Sequence, residues 1–160
     1  MTAALDLVRA LAADAEADPL RWIQWLPPQD EFHRDPSPVK LLRTGNQIGK
    51  TTAGLAEVHW RCMGLHPHLD TREPPIEARV ICASWSQSLA IQAKFYALAG
   101  RYLVAETRFD AVNGFHANRP TAKYPNGSIV RFKTTQQNSL DLAGATIDLA
   151  MFDEPPKSPR

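Results

Sequence analysis

Cysteine is scarce in this 160-residue chain. Cys62 and Cys82 are the only two, each inside an apparent structural element, so a disulfide-stapled secreted scaffold is a poor reading and a reducing compartment fits. No uninterrupted apolar stretch approaches the roughly 20 residues that a membrane-spanning helix needs. Residues 1–19 carry Asp6, Asp14, Glu16 and Asp18 and so fail as a signal peptide. Neither sign of charge dominates: Lys and Arg number 18 against 17 Asp and Glu. That balance excludes a wholly basic, histone-like DNA binder and confines any nucleic-acid contact to a local patch. Internal repeats and low-complexity segments are missing too. What is present is a globular composition, 44% hydrophobic and 22% charged. A chain of this length buries about 70% of its unfolded surface around one compact core.

Along the chain, Thr2 to Ala17 places Leu5, Val8, Leu11 and Ala15 at helical spacing and predicts a small amphipathic helix ending before Pro19. Arg21 to Pro38, with Pro27, Pro28, Pro36 and Pro38, reads as an irregular lead-in, in which Trp22 and Trp25 serve packing. Val39 to Arg43 reads as a short strand, and Thr52 to Met63 as a helix ending at Gly64. Residues 66–77 form a proline-rich loop. Ala78 to Ser84 is a buried-type strand, followed by a helix with Leu89, Ala93, Tyr96 and Leu103 on one stripe. Pro125-Asn126-Gly127 turns a β-hairpin within Ala122 to Thr135, placing Arg131 and Lys133 on one face of its second strand and Val130 and Phe132 on the other. Thr146 to Phe152 is a last apolar strand that delivers Asp153 and Glu154 at its carboxyl end.

Two of these segments carry chemistry. A strand feeding a glycine-bearing loop that opens a helix binds phosphate, because uncapped backbone N–H groups and the helix dipole both point at the anion. Thr44, Gly45, Asn46, Gln47, Ile48, Gly49, Lys50 and Thr51 have that form, with Thr52 continuing into the helix. Gly45 and Gly49 let the backbone wrap the β- and γ-phosphates, Lys50 sets a cation on their oxygens, and the Thr51 hydroxyl completes a magnesium shell. The strict pattern has glycine where Thr44 stands. About a hundred residues on, Leu149-Ala-Met-Phe runs into Asp153 and Glu154. An apolar strand ending in such a pair supplies an aspartate for Mg²⁺ and a glutamate that polarises the attacking water. The two segments in this order predict Mg²⁺–nucleotide binding.

Together the motifs resemble those of the phage terminase large subunit, an ATP-driven motor that packages DNA. The resemblance rests on Gln29 and Phe32, on Leu41 to Thr52, on Val80-Ile-Cys-Ala-Ser with a glutamine-containing helix after it, and on Leu142 to Pro156. It implies an α/β P-loop NTPase of the ASCE type, with a central, mostly parallel sheet, helices on both faces and a β-hairpin. Residues 1–38 would form the amino-terminal helix and an adenine-side lead-in, and residues 39–160 the ATPase core. By the resemblance, Gln29 contacts adenine beside Phe32 or Trp25, Lys50 and Thr51 hold phosphate and magnesium, Asp153 holds the metal and Glu154 acts on water. The implied partners are double-stranded DNA, a portal protein, a small terminase subunit and further copies in a ring, in the cytoplasm of a bacterial host.

Two departures stand out. The arginine that many terminases place four residues before the loop lysine is Asn46 here, so a neighbouring subunit is one source of transition-state charge. The chain also stops at Arg160, soon after the acidic motif. The expectation is a truncated core with an incomplete sheet, an unpaired apolar edge, no nuclease domain and weak activity by itself. Alternatives are a helicase-like or other P-loop NTPase, or a nucleotide-binding remnant acting as an interaction module. His59, Cys62, His66 and His68 reach zinc-ligand spacing only in part, so a core cysteine among solvated histidines is the better reading. Arg131, Lys133, Lys123 and Arg119 form a hairpin face that is either solvated or in contact with a DNA backbone.

Overall fold

Arg79 to Cys82, rich in β-branched and apolar side chains, forms the middle of the sheet, as the buried pattern predicts. The computed structural model describes residues 2–45, 47–115, 120–137 and 146–153. Its helices are α1 (Thr2–Ala17), α2 (Pro19–Trp22), α3 (Pro27–Arg34), α4 (Lys50–Met63) and α5 (Trp85–Ala99), the last followed by a 3₁₀ turn over Gly100–Tyr102. The strands are β1 (Glu77–Cys82), β2 (Phe109–Asp110), β3 (Gly114–Phe115), β4 (Thr121–Lys123), β5 (Ile129–Thr134) and β6 (Leu149–Asp153). Four of them make a sheet of order β4-β5-β1-β6, in which β5 and β6 run parallel to β1 and β4 pairs antiparallel with β5. β2 and β3 form a separate two-stranded ribbon.

The register aligns Val80 with Phe132 on one side and Met151 on the other, so these side chains share a face. α4 and α5 both pack there: Gly54 of α4 lies against Met151, and Phe95 of α5 meets the Phe132 ring at 5.5 Å. Phe115 stacks on Phe132 at 5.4 Å and closes the aromatic centre of the core. Helices on both faces were expected; among the described residues α4 and α5 take the same one. The opposite face presents Arg131, Lys133, Ala150 and Phe152, the last 59% exposed.

The hairpin turns where its Pro-Asn-Gly signal sits, with Gly127 at φ 88. Other expectations need correction. Residues 21–38 are largely helical, because Pro19 and then Pro27 and Pro28 occupy first-turn positions of α2 and α3, where a missing N–H costs nothing. Val39 to Arg43 forms no strand: Val39 and Leu41 are 87% and 80% exposed, and no strand among the described residues takes up the backbone hydrogen bonds of the segment. A strand is a relation to a partner, and β6, an edge of the sheet, has no second partner among the described residues. The buried side of α5 is Ser88, Ile91, Gln92, Phe95 and Leu98, not the stripe through Leu89 and Tyr96. Leu103 lies beyond that helix. α4 starts at Lys50, two residues early, and β6 covers Leu149–Asp153. Trp22 is 46% exposed and donates to Asp14 instead of packing inside. The stripe of α1 carrying Leu5, Val8 and Leu11 is exposed.

Candidate phosphate-loop site

The loop enters α4 through two left-handed residues, Gln47 at φ 63 and Gly49 at φ 73. Gly49 is the N-cap and has no side chain to satisfy the first-turn amides, so the helix start stays open to an anion. Lys50 Nζ folds back and donates to the carbonyls of Thr44 and Gly45 at 3.0 and 2.7 Å. The Thr44 hydroxyl is buried without a hydrogen-bond partner among the described residues. A buried orphan hydroxyl and a cation resting on main-chain carbonyls are both groups that an incoming anion would satisfy better.

One residue later, the Thr51 hydroxyl donates to Asp153 Oδ1 at 2.8 Å across 102 positions of sequence. The other Asp153 oxygen accepts from Gln87 Nε2 at 3.3 Å, while Gln87 Oε1 accepts from the Ala83 amide. Where α4 meets β6, Gly54 faces the flexible end of the Met151 side chain. Lys50, Thr51 and Asp153 are therefore neighbours, brought together by the parallel pairing of β6 with β1 and the seat of α4 on both.

Gln29 lies on the helix that precedes the segment leading into the loop. It sits in α3, 6% exposed, with Nε2 donating to the Ile48 carbonyl at 2.8 Å and Oε1 accepting from the Leu26 amide at 2.9 Å. Its immediate work is to hold the loop. Trp25, one of the two apolar neighbours expected for a base, instead packs edge-on to His33 and Trp60, while Phe32 stays half-buried. Gly45, Gln47 and Ile48 are exposed and Thr52 half-buried. Asn46 and Glu154 lie outside the described residues, as does Arg119.

Beneath the loop lies a cluster that sequence reasoning missed. Glu57, 5% exposed, accepts from His33 Nδ1 at 2.7 Å, His66 Nε2 at 3.0 Å, Lys40 Nζ at 3.1 Å and Arg61 Nε at 3.3 Å. Burial alone would raise its pKa. The hydrogen bonds from the two histidines and the Lys40 charge outweigh that and hold the carboxyl well below its usual range. These residues are scattered from 33 to 66 with no spacing motif; the one available signal is a glutamate inside the apolar run Leu55 to Val58 of α4. Gln87 was signalled only as a glutamine somewhere in the helix after the second strand.

The remaining candidates disperse. His59 bonds the Tyr124 hydroxyl at 2.8 Å and Cys62 is fully buried, burial pushing its thiol up to about 12. His59 and His66 are core groups, not the solvated histidines expected. No group of three or more His, Cys, Asp or Glu able to hold a metal occurs among the described residues. On the hairpin face, Arg131 pairs with Glu77 at 3.1 Å.

Residues 41–160 match the family described as terminase large subunit, T4likevirus-type, N-terminal. No curated protein and no solved structure matches the chain.

Proposed function

Because the chain belongs to the family of terminase large-subunit N-terminal domains, we propose that its phosphate loop binds Mg²⁺–ATP and that the domain is the ATPase part of a motor packaging double-stranded DNA into procapsids. The observation that carries this reading is the Thr51–Asp153 hydrogen bond at 2.8 Å, beside a helix N-terminus without a side-chain cap and a lysine lying over its own loop. A hydroxyl and a carboxylate oxygen are hard donors of the kind magnesium takes, in a shell otherwise completed by water and phosphate. Bound there, magnesium would neutralise charge on the β- and γ-phosphate oxygens.

In this reading the Lys50 ammonium, which has three N–H donors and spends two on the Thr44 and Gly45 carbonyls, also donates to the phosphates, and the amides opening α4 receive the same anion. Gln87 keeps the Asp153 carboxylate turned toward Thr51. Glu154, next in sequence, polarises the water that attacks the γ-phosphorus in line, and ADP leaves with the old bridging oxygen. Gln29 keeps one amide hydrogen and one oxygen lone pair beyond its bonds to Ile48 and Leu26, enough to read an adenine edge. With Asn46 at the usual arginine position, an arginine from a neighbouring copy in a ring supplies transition-state charge. The wider partners are a portal protein and a small terminase subunit, in the host cytoplasm.

Binding of a fluorescent ATP analogue, together with phosphate release, tests the assignment. Lys50→Ala abolishes binding or turnover, whereas Glu154→Gln binds and does not cleave. Full turnover in Glu154→Gln would remove that residue from the mechanism.

A further inference from the structure

Leu26 begins α3 without a side-chain oxygen to cap it, and Gln29 in the first turn supplies an acceptor instead: its Oε1 takes the Leu26 amide at 2.9 Å. With the oxygen committed there, the nitrogen end of the same amide is aimed at the phosphate loop, where Nε2 donates to the Ile48 carbonyl at 2.8 Å. The side chain is 6% exposed, and Nε2 stands 3.0 Å from where a Cβ on Gly49 would lie. It has little room to swing to another partner. The helix that carries it is tied to α4 in turn, through the His33–Glu57 bond at 2.7 Å. One amide therefore joins an anchored helix to the middle of the loop.

Ile48 lies between two left-handed residues, Gln47 at φ 63 and Gly49 at φ 73, a conformation that is unfavourable for an L residue such as Gln47. The peptide unit from Ile48 to Gly49 is planar and trans, so its carbonyl and its N–H point in opposite directions. Holding the Ile48 carbonyl on Gln29 thus turns the Gly49 N–H away from α3. Glycine has wide backbone freedom, so without that bond the unit rotates easily and the amide loses its direction. An anion at a helix N-terminus is held by just such main-chain amides. We infer that Gln29 is a positioning residue for the phosphates: it fixes the amide at the N-cap of α4, and so contributes to binding of any polyphosphate, whatever base that polyphosphate carries. This contribution is separate from an adenine contact, which reads the base alone.

This inference rests on the nucleotide reading, and the test separates the two. Calorimetric affinities for ATP, GTP and inorganic triphosphate, each with Mg²⁺, are measured for the whole chain and for two variants. Gln29→Met removes both amide bonds, and Gln29→Asn is one methylene too short to span from Leu26 to Ile48. Both variants should unfold cooperatively above the temperature of the titrations. Each should bind all three ligands about tenfold more weakly, the loss being the same for each. Backbone hydrogen exchange at Gly49 should also be faster in the variants than in the wild type before any ligand is added. A loss for ATP with GTP and triphosphate affinity unchanged would overturn the inference and leave Gln29 as a reader of adenine. Unchanged affinity for all three ligands would overturn it too, as would failure of both variants to fold, since the bond would then serve the fold alone. These outcomes leave the nucleotide reading intact. A wild-type chain that binds none of the three ligands overturns that reading, and the role of Gln29 with it.

Discussion

Replacing Glu57 by glutamine keeps the size of the side chain and removes its charge. Four donors converge on this carboxylate, and it is 5% exposed, so the change leaves Lys40 and Arg61 without their counter-ion in a largely dry site. Removing one partner of a buried ion pair costs about 3–5 kcal/mol. Arg61, 26% exposed, can turn to solvent and recover part of that, whereas Lys40, 10% exposed, cannot without leaving Phe32. We therefore expect a loss of about 2–3 kcal/mol at pH 7, or roughly 4–12 °C in melting temperature for a domain of this size. The sign with pH is fixed by the lowered pKa of Glu57. Its contribution is complete above the ordinary glutamate value of 4.5 and disappears as pH falls below it toward the depressed value in the folded state. Urea unfolding of both proteins at pH 7 and again near pH 3 reads this directly: the gap between the two midpoints should be wide at neutral pH and narrow in acid. Equal midpoints at pH 7, or a gap unchanged in acid, would refute the assignment of Glu57 as a charged hub.

Phe132→Ala empties the aromatic centre between Phe95 and Phe115, where the side chain is 1% exposed; chemical denaturation should show a loss of about 3–5 kcal/mol. Gly114→Ala meets both a φ of +75 and a contact of 2.4 Å with the buried Gln92 Oε1. It should lower stability by at least about 1–3 kcal/mol, without the gain a glycine replacement brings at a relaxed site. By contrast, Leu5→Ser and Val8→Ser act on side chains 54% and 64% exposed and should shift the unfolding midpoint by no more than about 0.5 kcal/mol.

Much of this arrangement is legible in the amino-acid sequence, and the exceptions share a cause. The turn into α4, the hairpin and β6 announce themselves through contiguous signals: glycines around Lys50, Pro125-Asn126-Gly127, and an apolar run ending in Asp153. Each is a local statement about backbone freedom or periodicity. Val39 to Arg43 looks equally strand-like, yet strand formation needs a neighbour, and that condition is not written in five residues. The prolines at 27 and 28 mislead in the opposite direction, because a residue that breaks a helix interior is well placed in its first turn. Glu57 with Lys40, His33, Arg61 and His66 is invisible in the sequence because nothing in their spacing marks them; only folding α3 and the lead-in against α4 brings them to one point. Gln29 is tied to adenine only by the resemblance, whereas the structure shows its amide bonded to the Ile48 carbonyl of the loop.

The central claim is that Thr51 and Asp153 share one magnesium ion with the phosphates of a bound nucleotide. Calorimetric titration of ATP into the wild-type chain and into Asp153→Asn, each with and without Mg²⁺, tests it most directly. The account predicts that magnesium strengthens binding to the wild type and that this gain vanishes in Asp153→Asn while the magnesium-free affinity stays the same. An equal magnesium gain in both proteins would contradict it.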